Sequence, residues 1–271
     1  MKKRIGIPER MYCEPLVGDA RSAEIDIERG LTFKQLRQLH EGNMDAVFVS
    51  PLDYARENSE YKIVPGIAVS STRHVDVYFK KGLHRISTMA ADPSHAAELI
   101  LAKIIFTEEF GSVPTILPMV GSVHAKLQKA ESALVGGDEV LGDKPEGFGK
   151  LDIVEAWEEL SGLPYVHGFW CAREGALAPD EIALLRSLRD AGVAALHQRA
   201  QELTERRGVA LGIIQGYLQS FSYGFDDIRM ESVREYLHYA YYYGTLSDIR
   251  DLEFIDEAEA DLGNPASTTS K

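Results

Sequence analysis

The chain has 271 residues, 45% of them hydrophobic, and its 29 Lys and Arg against 42 Asp and Glu give a formal net charge of −13. Such a chain can bury a sizeable core, as one large domain or as two lobes. The acidic balance, without a Lys/Arg-rich run, argues against a nucleic acid or an anionic membrane as partner. A small anion is not excluded, since a few Arg side chains or a helix N-terminus can hold one locally.

The sequence contains no pattern typical of a signal peptide, a transmembrane helix or a metal site. The start MKKRIGIPER is basic but is not followed by the apolar segment of a signal peptide, so we expect a cytoplasmic protein. No stretch approaches about 18 consecutive apolar residues, which predicts no transmembrane helix. Cys13 and Cys171 are expected to be unpaired thiols, and the eight scattered histidines lack metal-ligand spacing. The common metal, P-loop and hydrolase motifs are absent.

Strand and helix patterns alternate along the first half of the chain. Strands are predicted at 4–7 and 45–50, helices at 32–41 and from 51, and two extended runs at 63–71 and 74–80. The segment DAVFVS at 45–50 is apolar on both of its faces, which is typical of a strand in the middle of a sheet.

The second half continues the alternation and then becomes helical. Strands are predicted at 86–89, 115–119, 132–141 and 164–174, and helices at 96–106, 123–129 and 151–162, the last one closed by Gly162. Residues 179–262 are mainly helical, and 263–271 are expected to be disordered.

This order predicts an α/β fold with mostly parallel sheets and two lobes. We place residues 1–85 and 170–271 in the first, discontinuous lobe and residues 86–169 in the second. In such folds the ligand lies in the cleft, outside the carboxyl ends of the strands.

The loop after the first strand is the first candidate site. Arg10 could clamp a carboxylate in bidentate geometry, and Glu9 or Glu14 could act as a base. The alternative is a solvated loop in which these charges satisfy one another.

Three other turns follow strands and could face the same cleft. In ADPSH, exposed amides at a helix N-terminus and the Ser94 hydroxyl could bind an anion, with His95 as a donor or general acid. Ser50 ends a buried strand, and Gly137 with Asp138 forms a strand-end turn that lets a ligand approach the backbone. Helix capping is the alternative for Ser50, for Ser94 and for Asp138.

A tyrosine stripe near the C-terminal end of the chain is not assigned to the site. Tyr236, Tyr239 and Tyr243 share one helix face, and such a stripe is typical of core or of a dimer contact. A homodimer is therefore kept open as a partner, beside a small anionic substrate.

Several segments together resemble the chorismate dehydratase family of the futalosine route to menaquinone. They are RIGIPERMYCEPLV, LHEGNMDAVFVSPLDYA, YKIVPGIAVSS, ALVGGDEVL and LDIVEAWEELSGLPYVHGFWCARE, which run over roughly residues 4–175. The resemblance implies a two-lobed fold similar to type II periplasmic binding proteins. It also implies a lyase that removes water from chorismate to give an enolpyruvyl benzoate, without a metal or redox cofactor.

Two loops depart from the pattern of that family. Tyr12 stands at the Asn of a tract resembling S-Y-L-N-T-x-P-L, and ADPSHAAE replaces an S-R-T-S turn while keeping Ser94. The family holds its substrate in these two loops. The resemblance then implies Glu9 as base, Tyr12 as donor, and Arg10 with the amides at Ser94 and His95 as carboxylate holders. The alternatives are a paralogue that acts on another small carboxylate or phosphate, and a solute-binding protein that closes on an anion without chemistry.

Overall fold

The computed structural model describes residues 2–18, 25–57 and 60–256, and the predicted disordered tail at 263–271 lies outside these ranges. The strands are β1 Lys3–Pro8, β2 Ile25–Gly30, β3 Ala46–Val49, β4 Tyr61–Ser71, β5 Val75–Phe79, β6 Thr88–Ala91, β7 Thr115–Pro118, β8 Ser132–Gly136, β9 Gly149–Asp152, β10 Tyr165–Arg173 and β11 Phe221–Gly224.

The helices are α1 Glu14–Val17, α2 Thr32–His40, α3 Pro51–Arg56, α4 Ala96–Phe110, α5 Val123–Lys129, α6 Ile153–Ser161, α7 Pro179–Ala194, α8 Leu196–Arg207, α9 Leu211–Gln219 and α10 Asp227–Tyr242. Short 3₁₀ turns precede α1 and α4 and follow β8. The predicted αL cap at Gly162 is present, with φ of 73° and a hydrogen bond back to Glu158.

The strands form two sheets, one in each lobe. The first has the order β11-β4-β10-β3-β1-β2 and the second the order β7-β6-β8-β5-β9. The division differs from the predicted boundaries at 86 and 169, because β5 pairs with β8 and β9 in the second sheet. Strand β10, from Tyr165, already pairs with β3 and β4 in the first sheet. The chain therefore passes between the sheets at 72–74 and returns before 165.

The expectation of mostly parallel sheets is wrong. The pairs β1–β2, β1–β3, β6–β7 and β6–β8 are parallel, as βα units require. The strands next to the crossings, β4, β5 and β10, make antiparallel pairs, as does β11. The chain crosses from the first lobe to the second and later returns, so the strands next to the two crossings run in opposite directions. Both sheets therefore contain parallel and antiparallel pairs.

The two lobes share their apolar core. One cluster of buried side chains joins Val47 and Phe169 of the first sheet to Leu134 of the second, with Trp157 and Tyr236 packed beside them. The hydroxyl of Tyr236 donates to the backbone carbonyl of Ala97 at 2.9 Å, which ties α10 to the start of α4. At least this tyrosine of the predicted stripe therefore belongs to the core of the chain itself.

The backbone is strained at the first crossing between the sheets. His74, the last residue before β5, has φ of 87°, an unfavourable conformation for a residue with a side chain. Its backbone N–H donates to Asp152 Oδ2 at 2.7 Å, and its ring packs on Tyr217 and Phe221. The first lobe and the second thus both hold this residue in place.

Cys13 and Cys171 are buried free thiols, as predicted. Within the described ranges, no group of three or more His, Cys, Asp or Glu side chains could hold a metal ion. None of the helices in the same ranges is long and apolar enough to cross a membrane.

The loop after β1 is held from behind by close packing of α1 on α7. A Cβ added at Gly192 of α7 would lie 2.0 Å from the carbonyl oxygen of Pro15. We therefore expect Gly192→Ala to lower the free energy of unfolding by about 1–3 kcal/mol, because backbone must move to make room. Urea denaturation measures this change.

Gly216→Ala is the matched control, because Gly216 also lies inside a helix but has no heavy atom within 4 Å of the added Cβ. That substitution should stabilise the protein by about 0.5–1 kcal/mol. Equal effects of the two variants would contradict close packing at Gly192.

Candidate functional site

A cavity of about 440 Å³ lies between the lobes. Its walls come from the carboxyl ends of β1, β2 and β3 in the first lobe and from the start of α4 in the second. It is lined by Pro8, Glu9, Arg10, Tyr12, Gly30, Leu31, Thr32, Phe33, Phe48, Ser50, Asp53, Pro93, Ser94, Ala96, Ala97, Glu98 and His167.

Five of the eight predicted site residues line this cavity: Glu9, Arg10, Tyr12, Ser50 and Ser94. The other three lie behind Arg10 or beside it rather than in the cavity wall, as described below. Segments far apart in the sequence are thus brought together at one cavity, as the order of the strands predicted.

Arg10 reaches across the cleft to the second lobe. Its Nη2 lies 3.5 Å from both Ser94 Oγ and His95 Nε2. Gly137 supports the guanidinium from below: its φ is 56°, and an added Cβ would lie 2.9 Å from Arg10 Nη1. The glycine therefore makes room for an arginine of the protein, whereas the sequence had suggested room for a ligand.

Asp138 anchors the loop that carries Arg10. Its Oδ1 accepts a hydrogen bond from the backbone N–H of Met11 at 2.9 Å, and its Oδ2 lies 3.6 Å from Arg207 Nη2. Burial raises the pKa of this carboxyl group. Asp138 is thus neither a helix cap nor a residue of the cavity wall, and its contacts join the two lobes.

The turn before α4 differs from its predicted role. The backbone N–H of Ser94 donates to Asp92 Oδ1 at 2.8 Å, and that of His95 donates to the Asp92 carbonyl at 3.0 Å. The expectation that these two amides bind an anion is therefore wrong, because Asp92 already occupies them. The Ser94 hydroxyl remains exposed at the cavity.

The expectation that His95 serves as a general acid is also wrong. The ring is 1% exposed and does not line the cavity. Burial, with Arg10 and Lys126 nearby, lowers its pKa to about 3, so the ring is neutral at physiological pH.

Ser50 performs the capping role that was its alternative. Its Oγ accepts from the backbone N–H of Asp53 at 3.1 Å and donates to Asp53 Oδ2 at 2.7 Å, which completes a capping box at the start of α3. Glu14, the second candidate base, does not line the cavity and pairs with Arg29 at 2.8 Å.

Tyr12 and His167 form an aromatic wall. The Tyr12 ring lies 5.3 Å from the His167 ring and 5.2 Å from the Phe221 ring. Ser71 Oγ donates to the carbonyl of Arg73 at 2.6 Å, so it accepts from His167 Nε2 at 2.7 Å, which therefore carries the proton. Burial lowers the pKa of His167 to about 3 and raises that of Tyr12 well above 10, so both rings are uncharged.

Sequence reasoning missed several lining residues, and Glu98 and Asp53 matter most among them. Glu98 lies in the first turn of α4 with 13% of its side chain exposed, and burial raises its pKa. A signal for it was present, because Glu98 is the one charged residue among the first seven residues of α4, AAELILA. Asp53 was not predicted, because the sequence does not distinguish a residue that only caps a helix from one that also lines a cavity.

The cavity is acidic. Among the described residues that line it, Arg10 is the one cationic side chain, whereas Glu9, Asp53 and Glu98 carry carboxylates. A bound anion would therefore compete with carboxylates of the protein for a single guanidinium.

Comparisons with known proteins agree with this architecture. A family model described as menaquinone biosynthesis matches residues 13–242. Protein AF1704 from Archaeoglobus fulgidus has a TM-score of 0.73 at 16% identity, covering 90% of this chain and 98% of that one.

Two further solved structures are similar at lower identity. The periplasmic aliphatic sulphonate binding protein SsuA from Escherichia coli has a TM-score of 0.66 at 13% identity, covering 92% of this chain and 95% of that one. The CA3427 gene product of Candida albicans, described as having the generic periplasmic binding protein fold, has a TM-score of 0.61 at 10% identity, covering 93% of each chain. The predicted two-lobed fold of this class is thereby confirmed.

The position of Arg10 depends on Gly137. Gly137→Ala should push the guanidinium away from Ser94 and weaken the binding of carboxylates about tenfold or more. Isothermal titration with benzoate and isophthalate as probes measures this loss. Gly162→Ala is the control, since it has φ of 73° and no heavy atom within 4 Å of the added Cβ. Both variants bear the left-handed strain of about 1 kcal/mol, and only the first should lose affinity.

The buried histidines predict a loss of stability in acid. In the unfolded chain a histidine has a pKa near 6.5, so between pH 7 and 5 the unfolded state binds more protons than the folded state. Each of His95 and His167, with folded pKa values of about 3, should then cost about 2 kcal/mol of stability over that interval. In urea denaturation at both pH values, His167→Gln should show a drop that is about 2 kcal/mol smaller. An equal drop in both proteins would contradict a neutral, buried His167.

Proposed function

The chain belongs to the menaquinone biosynthesis family, and from this membership and the geometry of the cavity we propose that it is a cofactor-independent lyase that removes water from chorismate or a related small carboxylate. The observation that carries the proposal is the placement of Arg10, Tyr12 and Glu9 around one interlobe cavity. The resemblance to chorismate dehydratases supports the choice of substrate.

The reaction defines what the site must supply. A base takes a proton from the ring carbon, the ring hydroxyl leaves as water, and the electron pair of the broken C–H bond completes the aromatic ring. No electrons are gained or lost overall, so the chemistry is one of acids, bases and hydrogen bonds. The site must also hold the carboxylates of the substrate.

The residues of the cavity match these needs. Arg10, steadied by Ser94, holds one carboxylate, and its charge is directed into the cavity by Gly137 behind it. Glu9 is exposed at the cavity wall and accepts the ring proton. Tyr12 keeps its phenol proton because burial raises its pKa, so it donates a hydrogen bond to an oxygen of the substrate.

Incubation of the purified protein with chorismate, followed by mass spectrometry, tests this proposal. We expect the enolpyruvyl benzoate to form above the spontaneous background. Arg10→Ala should lower kcat/KM about 10- to 100-fold, since a charged hydrogen bond to the carboxylate is lost, with little change in melting temperature. Arg37→Ala, which removes an exposed arginine paired with Glu41, is the matched control and should keep full activity.

Two outcomes would count against the proposal. Stabilisation by chorismate without product would indicate a binding protein of the same fold, and at 100 times the dissociation constant that stabilisation would be about 2.7 kcal/mol. A large fall in melting temperature in Arg10→Ala would show that Arg10 is a structural residue.

A further inference from the structure

The charge of the cavity conflicts with the charge of a dicarboxylate. Such a ligand brings two negative charges to a site with Arg10 as its cation and Glu9, Asp53 and Glu98 as its carboxylates. Like charges at close range disfavour one another strongly when water is excluded. Protonation of one of these carboxylates would remove part of this repulsion.

Burial disfavours the ionised form of Glu98, whose side chain lines the cavity. Its side chain is 13% exposed, whereas Glu9 is at the solvent surface. His95 Nδ1 lies 3.8 Å from Glu98 Oε2, beyond hydrogen-bond distance, and that ring is neutral. Asp53, by contrast, already accepts hydrogen bonds from the backbone N–H and the hydroxyl of Ser50.

The groups around Glu98 come from several elements. Arg10 and Tyr12 approach from the loop after β1, and Asp53 approaches from α3. Tyr165 of β10 and Tyr236 of α10 are buried and interact electrostatically with Glu98. The backbone N–H of Glu98 itself and the Arg10 guanidinium favour the ionised form of Glu98, and a carboxylate of the ligand would take over that guanidinium.

We propose that Glu98 takes up a proton when a dianionic ligand binds, and that the resulting carboxylic acid gives this proton to the departing hydroxyl group. The first half concerns binding alone, whereas the second half rests on the proposed dehydration. The site thereby accepts a dicarboxylate without a second arginine.

Every proton in this step is accounted for. The carbon–oxygen bond breaks, the hydroxyl leaves with the proton of Glu98 as water, and Glu98 becomes a carboxylate. Glu9 meanwhile holds the proton from the ring carbon, and release of product and of that proton returns the site to its starting state. Tyr12 cannot take the place of Glu98, because a phenol with a raised pKa is too weak an acid to transfer its proton.

Titration calorimetry with isophthalate, a stable dicarboxylate, tests the binding half. Titrations in buffers of different ionisation enthalpy at pH 7 to 8 should show uptake of up to one proton per ligand in the natural protein and none in Glu98→Gln. The affinity of the natural protein should fall up to tenfold per pH unit in this range, whereas that of Glu98→Gln should stay constant and be higher at pH 8.

Glu155→Gln is the matched control, because Glu155 is the exposed acidic residue in the first turn of α6. It should take up protons as the natural protein does. Equal proton uptake by Glu98→Gln would overturn the proposal, as would failure of millimolar isophthalate to bind either protein. Benzoate, a monoanion, should show a smaller uptake.

Chorismate turnover tests the catalytic half separately. Glu98→Gln should bind chorismate but form product about 10²- to 10⁴-fold more slowly, with the melting temperature retained. Full turnover in Glu98→Gln would overturn the acid role. Proton uptake with isophthalate but no turnover of chorismate by the natural protein would instead leave the binding half standing and remove the dehydratase function.

Discussion

The hydrogen bond from the Met11 backbone to Asp138 is the contact on which the site depends. It joins the loop after β1 in the first lobe to the turn after β8 in the second, and Arg207 adds a charge from a third direction. Arg10 lies one residue before this bond, so its side chain is directed against Gly137 and towards Ser94. The cation of the cavity is therefore placed by both lobes together.

Arg10, the one cation among the described residues that line the cavity, also shapes its chemistry. Binding proteins of this fold need only to be complementary to their ligand, whereas a lyase needs groups that change protonation during the reaction. Here the Tyr12 phenol and the His167 imidazole are held neutral by burial, and carboxylates of unequal exposure line the cavity together with Arg10. Groups with such different environments can divide the roles of donor, base and acid among themselves.

The sequence predicted the fold well where local patterns decide it. The doubly buried run of β3, the αL cap at Gly162 and the order of strands and helices all have short-range signals, and the family resemblance agreed with them. The lobe boundary was misplaced because β5 has the same alternation whichever sheet it joins. Only long-range pairing decides that choice.

The candidate site was predicted in part for the same reason. Loops that follow buried strands could be located, and Glu9, Arg10 and Tyr12 lie at the cavity. The sequence could not show that Asp92 occupies the amides of the next turn, or that Asp138 faces Met11 rather than a ligand. These hydrogen bonds depend on which donor or acceptor lies nearest to each polar group in the folded structure. Glu98 was visible in the sequence, but its burial was not.

The apolar cluster that joins both lobes bears on how a guest enters and leaves. Full separation of the two lobes would expose Trp157 and its apolar neighbours to water, which is unfavourable. We therefore expect the ligand to enter and leave at the rim of the cavity, where the side chain of Phe33 is 67% exposed. The width of this cavity entrance, more than a large movement of the lobes, would then limit the size of the ligand.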